Sequence, residues 1–405
     1  MRRAPGDDRR MDTPLDRFRA AVMTDPAIQQ HLAGTIDTGI FEQRALDHAA
    51  TLGIDLTHDA LAAAWKPDPL GLASVLSPPP LEPAWPSRGW LPSHVAPEAG
   101  FAVDWTHFAG ARLDRPFFGD SIRNARVLPF NRLFRHRTAF DSFVSGADAD
   151  ALAPSGFIFH MSRCGSTLAA QMLAATPDHI VASEPAPLDT MLQIPLMVEG
   201  VPVETQVAAA RAMILAYGRN HAGGARRYFI KTDSWHIFAL PLLRLAFPDT
   251  PWVFLYRDPV EVLVSQARMP GSQVVAGVVP AQLFGIRPEE AELPGEEYTA
   301  RVLASTCAAA IAHWDRGGGL MVNYHELPQA LFTRILPHFG VTIDADTRAL
   351  MEAASRRDAK DPNATFKQDS AEKQTEASDA IRTAAATHFA GLYARLEELS
   401  ASSPR

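Results

Sequence analysis

The run FIFHMSRCGSTLAAQML, residues 157–173, passes from apolar and aromatic residues through a small polar knot into a helix-like pattern. Such a junction turns successive backbone N–H groups and the positive end of a helix onto one point, which is a setting for an anion. Gly165 lets backbone approach a ligand closely, and Ser166 and Thr167 add hydroxyl donors. Phosphate is the expected occupant. The nucleotide triphosphatase pattern G-x-x-x-x-G-K-[ST] is nevertheless not met: its first glycine and its lysine are absent, and Arg163 supplies the cation instead. A ligand-free turn rich in Ser and Gly is the plainer alternative. A second candidate is Arg257, which closes the apolar run WVFLY just before Asp258 and Pro259. A guanidinium can hold phosphate as a bidentate fork where a lysine cannot. The alternative there is a local ion pair at a strand end.

These residues need a scaffold. The chain has 405 residues with 47% hydrophobic content, enough for two or three domains and a sizeable core. Its net charge of -8 provides no global field for nucleic acid or an anionic membrane, so any anion site is local. Only two cysteines, Cys164 and Cys307, are present, which leaves no disulfide framework or thiolate zinc cluster and suits a reducing, cytoplasmic setting. Neither a secretion signal nor a membrane-spanning run is expected.

Four segments follow from the pattern. Residues 14–66 read as a small helical domain, with Phe18, Val22, Ile28, Leu32, Phe41, Ala45, Ala49, Leu52, Leu61 and Trp65 at helical spacings. Asp25 before Pro26, and Thr57 before an acidic turn, read as helix caps. Residues 67–100 carry so many prolines that an extended linker is expected. Residues 101–150, dense in aromatic residues with arginines between them, read as a connecting or lid segment rather than a nucleic-acid stacking surface. Residues 151–400 alternate strand-like and helix-like runs. That alternation implies an α/β fold, a three-layer parallel sheet with helices on both faces, preceded by the small all-α domain, with ligands at the carboxyl ends of the strands.

The string SRCGSTL resembles the 5′-phosphosulfate loop of sulfotransferases that use 3′-phosphoadenosine 5′-phosphosulfate (PAPS), in the branch written P-R-S-G-[ST]-T-L. Ser162 stands at the family's proline and Cys164 at its middle serine, an exchange that keeps the backbone donor. The family's 3′-phosphate site is an arginine ending a buried strand and a serine eight residues on, and Arg257 and Ser265 have that spacing. RYFIKTDSW resembles the strand that ends in Lys-Thr-His in cytosolic members, and LMVNYHELPQALF resembles the late Tyr-Glu-x-Leu element. The resemblance spans about residues 155–345 and implies a P-loop-type fold. Residues 18–61 resemble the nitrogen-fixation-type leader domain, a helical module found on precursors of modified peptides. That implies a possible peptide partner, with a plain helical appendage as the alternative.

The resemblance implies sulfuryl transfer from PAPS to an acceptor hydroxyl, in line, with fixed cations carrying the catalysis and no metal. Arg163, Cys164, Gly165, Ser166, Thr167, Arg257 and Ser265 would bind the donor, with Arg163 and Lys231 as cations at the transferring group. Two carboxylates compete as general base. Glu184, twenty-one residues after Arg163, stands where tyrosylprotein sulfotransferases carry a glutamate; Asp233 stands where cytosolic members carry their histidine. Glu184 is the expected base because the loop belongs to the arginine branch. Trp235 could stack on adenine or belong to the core, and Arg356, Arg357, Lys360 and Lys367 could form a basic flap or an ordinary charged loop. His160 and His236 read as structural. Small-molecule, carbohydrate and peptide hydroxyls are all possible acceptors. An ATP-dependent P-loop kinase and an inactive P-loop scaffold recruiting a peptide are the competing readings.

Overall fold

The computed structural model describes residues 13–64, 76–146, 148–287, 290, 293–357 and 369–402. The chain divides into two compact units: Met1–Arg112 with Gly119–Leu152 and Ala212–Gly224, and Leu113–Phe118 with Ala153–Arg211 and Ala225–Arg405.

The first unit opens with helices Pro14–Thr24, Pro26–Ala33, Thr38–Thr51 and His58–Ala64. Their starts follow the sequence chemistry. Thr13 caps the first with Pro14 at its first position. Asp25 Oδ1 accepts from the backbone of Ala27 at 2.9 Å and Ile28 at 3.1 Å, ahead of Pro26. Thr57 Oγ1 accepts from Ala60 N at 3.2 Å. Phe18, Val22, Leu32, Phe41, Ala45, Ala49 and Leu61 are buried as their spacing requires, whereas Leu52 is exposed. Trp65 lies outside the described residues.

The same unit holds a four-stranded sheet of β1 (Leu81–Glu82), β2 (Trp90–Ala96), β3 (Ala102–His107) and β4 (His136–Thr138), in the order β1-β4-β3-β2. β2 therefore arises inside the proline-rich stretch, where an extended linker was the expectation. It can do so because it is an edge strand: Pro92 donates nothing to the ladder, and the register with β3 shifts between Pro92 and His94. Buried Gln29 ties helix to sheet, donating to Val22 O at 3.0 Å and accepting from Trp90 Nε1 at 2.9 Å. Asp104 and Arg137, directly opposite on β3 and β4, form a buried bidentate pair at 2.6 and 2.7 Å.

The second unit contains an all-parallel sheet of β5 (Gly156–His160), β6 (His179–Ser183), β7 (Arg227–Lys231), β8 (Trp252–Tyr256) and β9 (Gly319–Asn323), in the order β6-β7-β5-β8-β9. β5, β6 and β8 are buried along their whole length, and β5 and β8 accordingly read as apolar runs. β6, within HIVAS, is an edge strand that the sequence pattern did not single out. The chain leaves β5 toward β6 on one side and leaves β8 toward β9 on the other. Crossovers of one hand then place helices on both faces, and the β5–β8 junction is the topological switch point. Helix Ser166–Ala174 follows β5, and helix Pro259–Arg268 follows β8. The helix expected near 235–246 is instead a 3-10 turn, Ser234–Ala239, continued by helix Leu240–Ala246. No helix of the described residues is long and apolar enough to cross a membrane.

Candidate functional site

β5 and β8 pair in parallel, with Ile158 opposite Val253 and His160 opposite Leu255, so the segments leaving their carboxyl ends emerge side by side. The loop after β5 is built from left-handed residues: φ is 76° at Ser162, 52° at Arg163 and 82° at Gly165. Two non-glycine residues held there mark a loop over-determined by its surroundings. Gly165 has a second constraint, because a Cβ there would lie 2.7 Å from Tyr324 Cδ2. Ser166 and Thr167 open the following helix and are buried.

The loop is pinned on several sides. Ser162 N donates to His160 Nδ1 at 3.1 Å, while the same ring's Nε2 donates to Thr232 O at 2.9 Å, which defines the His160 tautomer. Cys164 Sγ donates to Leu255 O at 3.0 Å, and burial pushes its thiol up to about 12. Gln266 Nε2 donates to Ser162 Oγ at 3.0 Å, and Arg163 Nη2 donates to Met269 O at 2.5 Å. Helix Pro259–Arg268 and its end thus support the loop that follows β5.

Arg257 sits one residue beyond β8. Its backbone N donates to Met161 Sδ at 3.2 Å, and its guanidinium lies 4.0 Å over the Tyr324 ring. Tyr324, just past β9, therefore touches both Gly165 and Arg257, so the two expected anion sites share one wall. Arg257 also donates from Nε to Glu261 Oε2 at 2.6 Å and from Nη2 to Asp369 Oδ1 at 2.8 Å. Burial opposes its charge, and these carboxylates raise its pKa nonetheless. Asp258, expected as the alternative ion-pair partner, instead caps the helix, accepting from Glu261 N at 3.2 Å. Ser265 is half-buried on that helix, two turns on.

The carboxylates lie at the ends of the neighbouring strands. Glu184 directly follows β6, Lys231 ends β7, and Glu184 N donates to Lys231 O at 2.7 Å. Lys231 is fully buried, its ammonium bonded to the Glu184 carboxylate and placed 5.0 Å from the centre of the Phe117 ring. Glu184 takes a φ of 51°, and His160 Nε2 approaches its Oε1 to 3.4 Å. Burial opposes the Glu184 charge, but Lys231 and the His160 contact outweigh it and hold the carboxyl well below its ordinary range. Asp233 behaves oppositely. Burial and the fields of Glu184 and Asp189 push its carboxyl up to about 7, against the pull of His236.

Asp233 also caps the 3-10 turn, where its backbone N donates to His236 Nδ1 at 3.2 Å. His236 Nε2 then donates to Asp189 Oδ1 at 2.8 Å, which also accepts from Trp235 Nε1 and Gln193 Nε2, each at 2.6 Å. Among the described residues Asp189, Asp233 and His236 bring possible ligand atoms within 4.8 Å of one another, with Asp189 Oδ1 already committed to these three donors. Trp235 packs against the cluster of Val279, Phe284, Ile286, Tyr298 and Val302. Arg357 is exposed beyond helix Ala345–Ser355, and Lys360 and Lys367 lie outside the described residues. Sequence reasoning missed Asp369, which lies 112 positions from Arg257, and it missed Asp189. The only local signal was Glu261, four residues after Arg257, the spacing of a helical ion pair.

Residues 154–346, just under half of the chain, match the family model described as Sulfotransferase family. Residues 14–64 lie outside the matched span. Among solved structures, the chain is similar to the sulfotransferase STF1 from Mycobacterium tuberculosis H37Rv at 20% identity, covering 50% of this chain and 72% of that one, with a TM-score of 0.32. It is also similar to the sulfotransferase domain from the curacin biosynthetic pathway at 15% identity, over 58% of this chain and 97% of that one, TM-score 0.38. A sulfotransferase from Alicyclobacillus acidocaldarius shares 16% identity over 62% of this chain and 98% of that one, TM-score 0.36. No curated protein matches the chain in sequence.

Proposed function

We propose that this chain transfers a sulfuryl group from PAPS to an acceptor hydroxyl. The observation that supports this reading is the adjacency of two expected anion sites at the carboxyl ends of paired strands, the left-handed loop 162–165 and Arg257, which both approach Tyr324. A donor with a phosphate at each end of its ribose needs such a pair. The backbone of the loop with Ser166 and Thr167 would hold the 5′-phosphosulfate, and Arg257 with Ser265 the 3′-phosphate.

In the reaction the acceptor oxygen bonds to sulfur as the bond from sulfur to the bridging oxygen breaks, and adenosine 3′,5′-bisphosphate departs. Negative charge grows on that bridging oxygen. Arg163 and Lys231 are the cations fixed to meet it, and a site of low dielectric makes each count for more than it would in water. Glu184 is the base that accepts the hydroxyl proton. Its bond to Lys231 keeps it ionised and aims it, and the left-handed backbone at Glu184 is strain held at the point where chemistry is expected. Asp233, whose carboxyl sits higher, is the second possible base.

The test is calorimetry with adenosine 3′,5′-bisphosphate and with ATP. Binding of the bisphosphate without magnesium, and its loss in Arg257→Ala, is the expected result. A preference for ATP with magnesium would replace this reading with phosphoryl transfer, and no binding of either nucleotide would leave a scaffold.

A further inference from the structure

Arg257 shares one of its two carboxylate partners with a second buried cation. Asp369 Oδ1 accepts from Arg257 Nη2 at 2.8 Å, and the other oxygen, Oδ2, lies 2.8 Å from Lys373 Nζ. Arg257 and Lys373 are each only 4% exposed. One carboxylate thus bridges two cations at the point where the donor reading places a phosphate. The short helix Ser370–Glu376 that carries Lys373 has anchors of its own. Ser370 Oγ donates to Glu261 Oε2 at 2.9 Å, Gln374 Nε2 to Asp258 Oδ1 at 2.9 Å, and Arg268 Nη2 to Glu372 Oε1 at 2.6 Å. None of these involves Asp369, so its side chain can be displaced while they hold.

We propose that the Asp369 carboxylate is an internal competitor for the donor's 3′-phosphate, and that Lys373 is the second cation of that subsite. The proposal rests on the donor reading above. A carboxylate brings one charge and two oxygens to the cation pair. A phosphate monoester brings up to two charges and three oxygens, and makes correspondingly more charge-assisted hydrogen bonds. Glu261 stays on Arg257 Nε and keeps the fork aimed. Asp369 therefore sets a threshold: a phosphomonoester dianion displaces it, whereas a monoanion of its own strength gains nothing. The apparent affinity for the donor is its intrinsic affinity reduced by the fraction of molecules in which Asp369 has swung away.

Calorimetry on the full chain tests this, with adenosine 3′,5′-bisphosphate and adenosine 5′-phosphate as probes. Asp369→Asn keeps the shape and removes the charge. It should bind the bisphosphate about tenfold more tightly than the unaltered protein. Affinity for the 5′-phosphate, which has no 3′ group, should not change. Lys373→Gln should bind the bisphosphate more weakly. Equal or weaker bisphosphate binding in Asp369→Asn overturns the competitor while leaving the donor reading intact, and failure of both proteins to bind the bisphosphate overturns both.

Discussion

Glu184 and Lys231 end neighbouring parallel strands and meet twice, backbone N–H to carbonyl at 2.7 Å and carboxylate to ammonium at the side-chain tips. The double contact fixes a charged acid beside a fully buried cation. It also separates the two candidate bases, because Glu184 is driven down by its partner while Asp233 is driven up to about 7 by burial and by Glu184 itself.

That separation makes the pH profile of turnover decisive. A base must be deprotonated to work. With Glu184 as base, kcat stays level as pH falls from 8 through the ordinary carboxylate range, since its carboxyl titrates lower still. With Asp233 as base, kcat drops as pH falls through about 7. Glu184→Gln should lower kcat about 10²- to 10⁴-fold with bisphosphate affinity retained. An unimpaired Glu184→Gln enzyme, together with a midpoint near neutrality in the unaltered one, would transfer the role to Asp233.

Asp233 should also leave a mark on stability. Its folded carboxyl holds a proton up to about 7, whereas the unfolded one releases it near the ordinary value of 3.8. The folded state therefore binds more protons in that window, and stability falls as pH rises through it. Asp233→Asn removes this slope while an amide still caps the turn. The variant should melt higher than the unaltered protein at pH 8 and close to it at pH 4, as differential scanning calorimetry would show.

Gly165→Ala places a side chain on a residue with φ of 82° and a Cβ 2.7 Å from the Tyr324 ring. Left-handed strain with that crowding should cost about 1–3 kcal/mol in denaturant unfolding and weaken bisphosphate binding. Full stability and affinity would mean that the loop accommodates a Cβ, contrary to its packing.

Cys164 lies in the loop yet should behave as an inert residue. Its thiol is buried, donates to Leu255 O, and titrates near 12. Burial also raises Cys307. Neither should react with a disulfide reagent at pH 8 in the folded protein, and both should react on unfolding. Rapid labelling of the native chain would show that the loop opens.

The parts legible in the sequence were those decided locally. Asp25 with Pro26, Thr57, and the strand–loop–helix around Gly165 carry their instructions within a few residues, and the structure forms them where they were read. β2 was hidden because Pro92 argues against a strand, and only its edge position in the sheet removes the objection. HIVAS has polar residues at both ends, which leaves an apolar run of only three residues to announce a strand. Asp369 was out of reach for a different reason: its partner is 112 positions away, and no periodicity relates an acid in a polar stretch to an arginine at a strand end. The left-handed backbone at Glu184 likewise arises from tertiary constraint, not from any turn residue at that position.

The Phe117 ring above Lys231 makes one further demand on how the protein behaves in solution. An ammonium with no exposed surface, capped on one side by an aromatic face and on another by Glu184, is sheltered from dissolved ions. Added chloride should compete at the rim of the site, where a donor arrives, and leave Lys231 unscreened. Ionic strength should accordingly weaken donor capture while the chemical step keeps its pace.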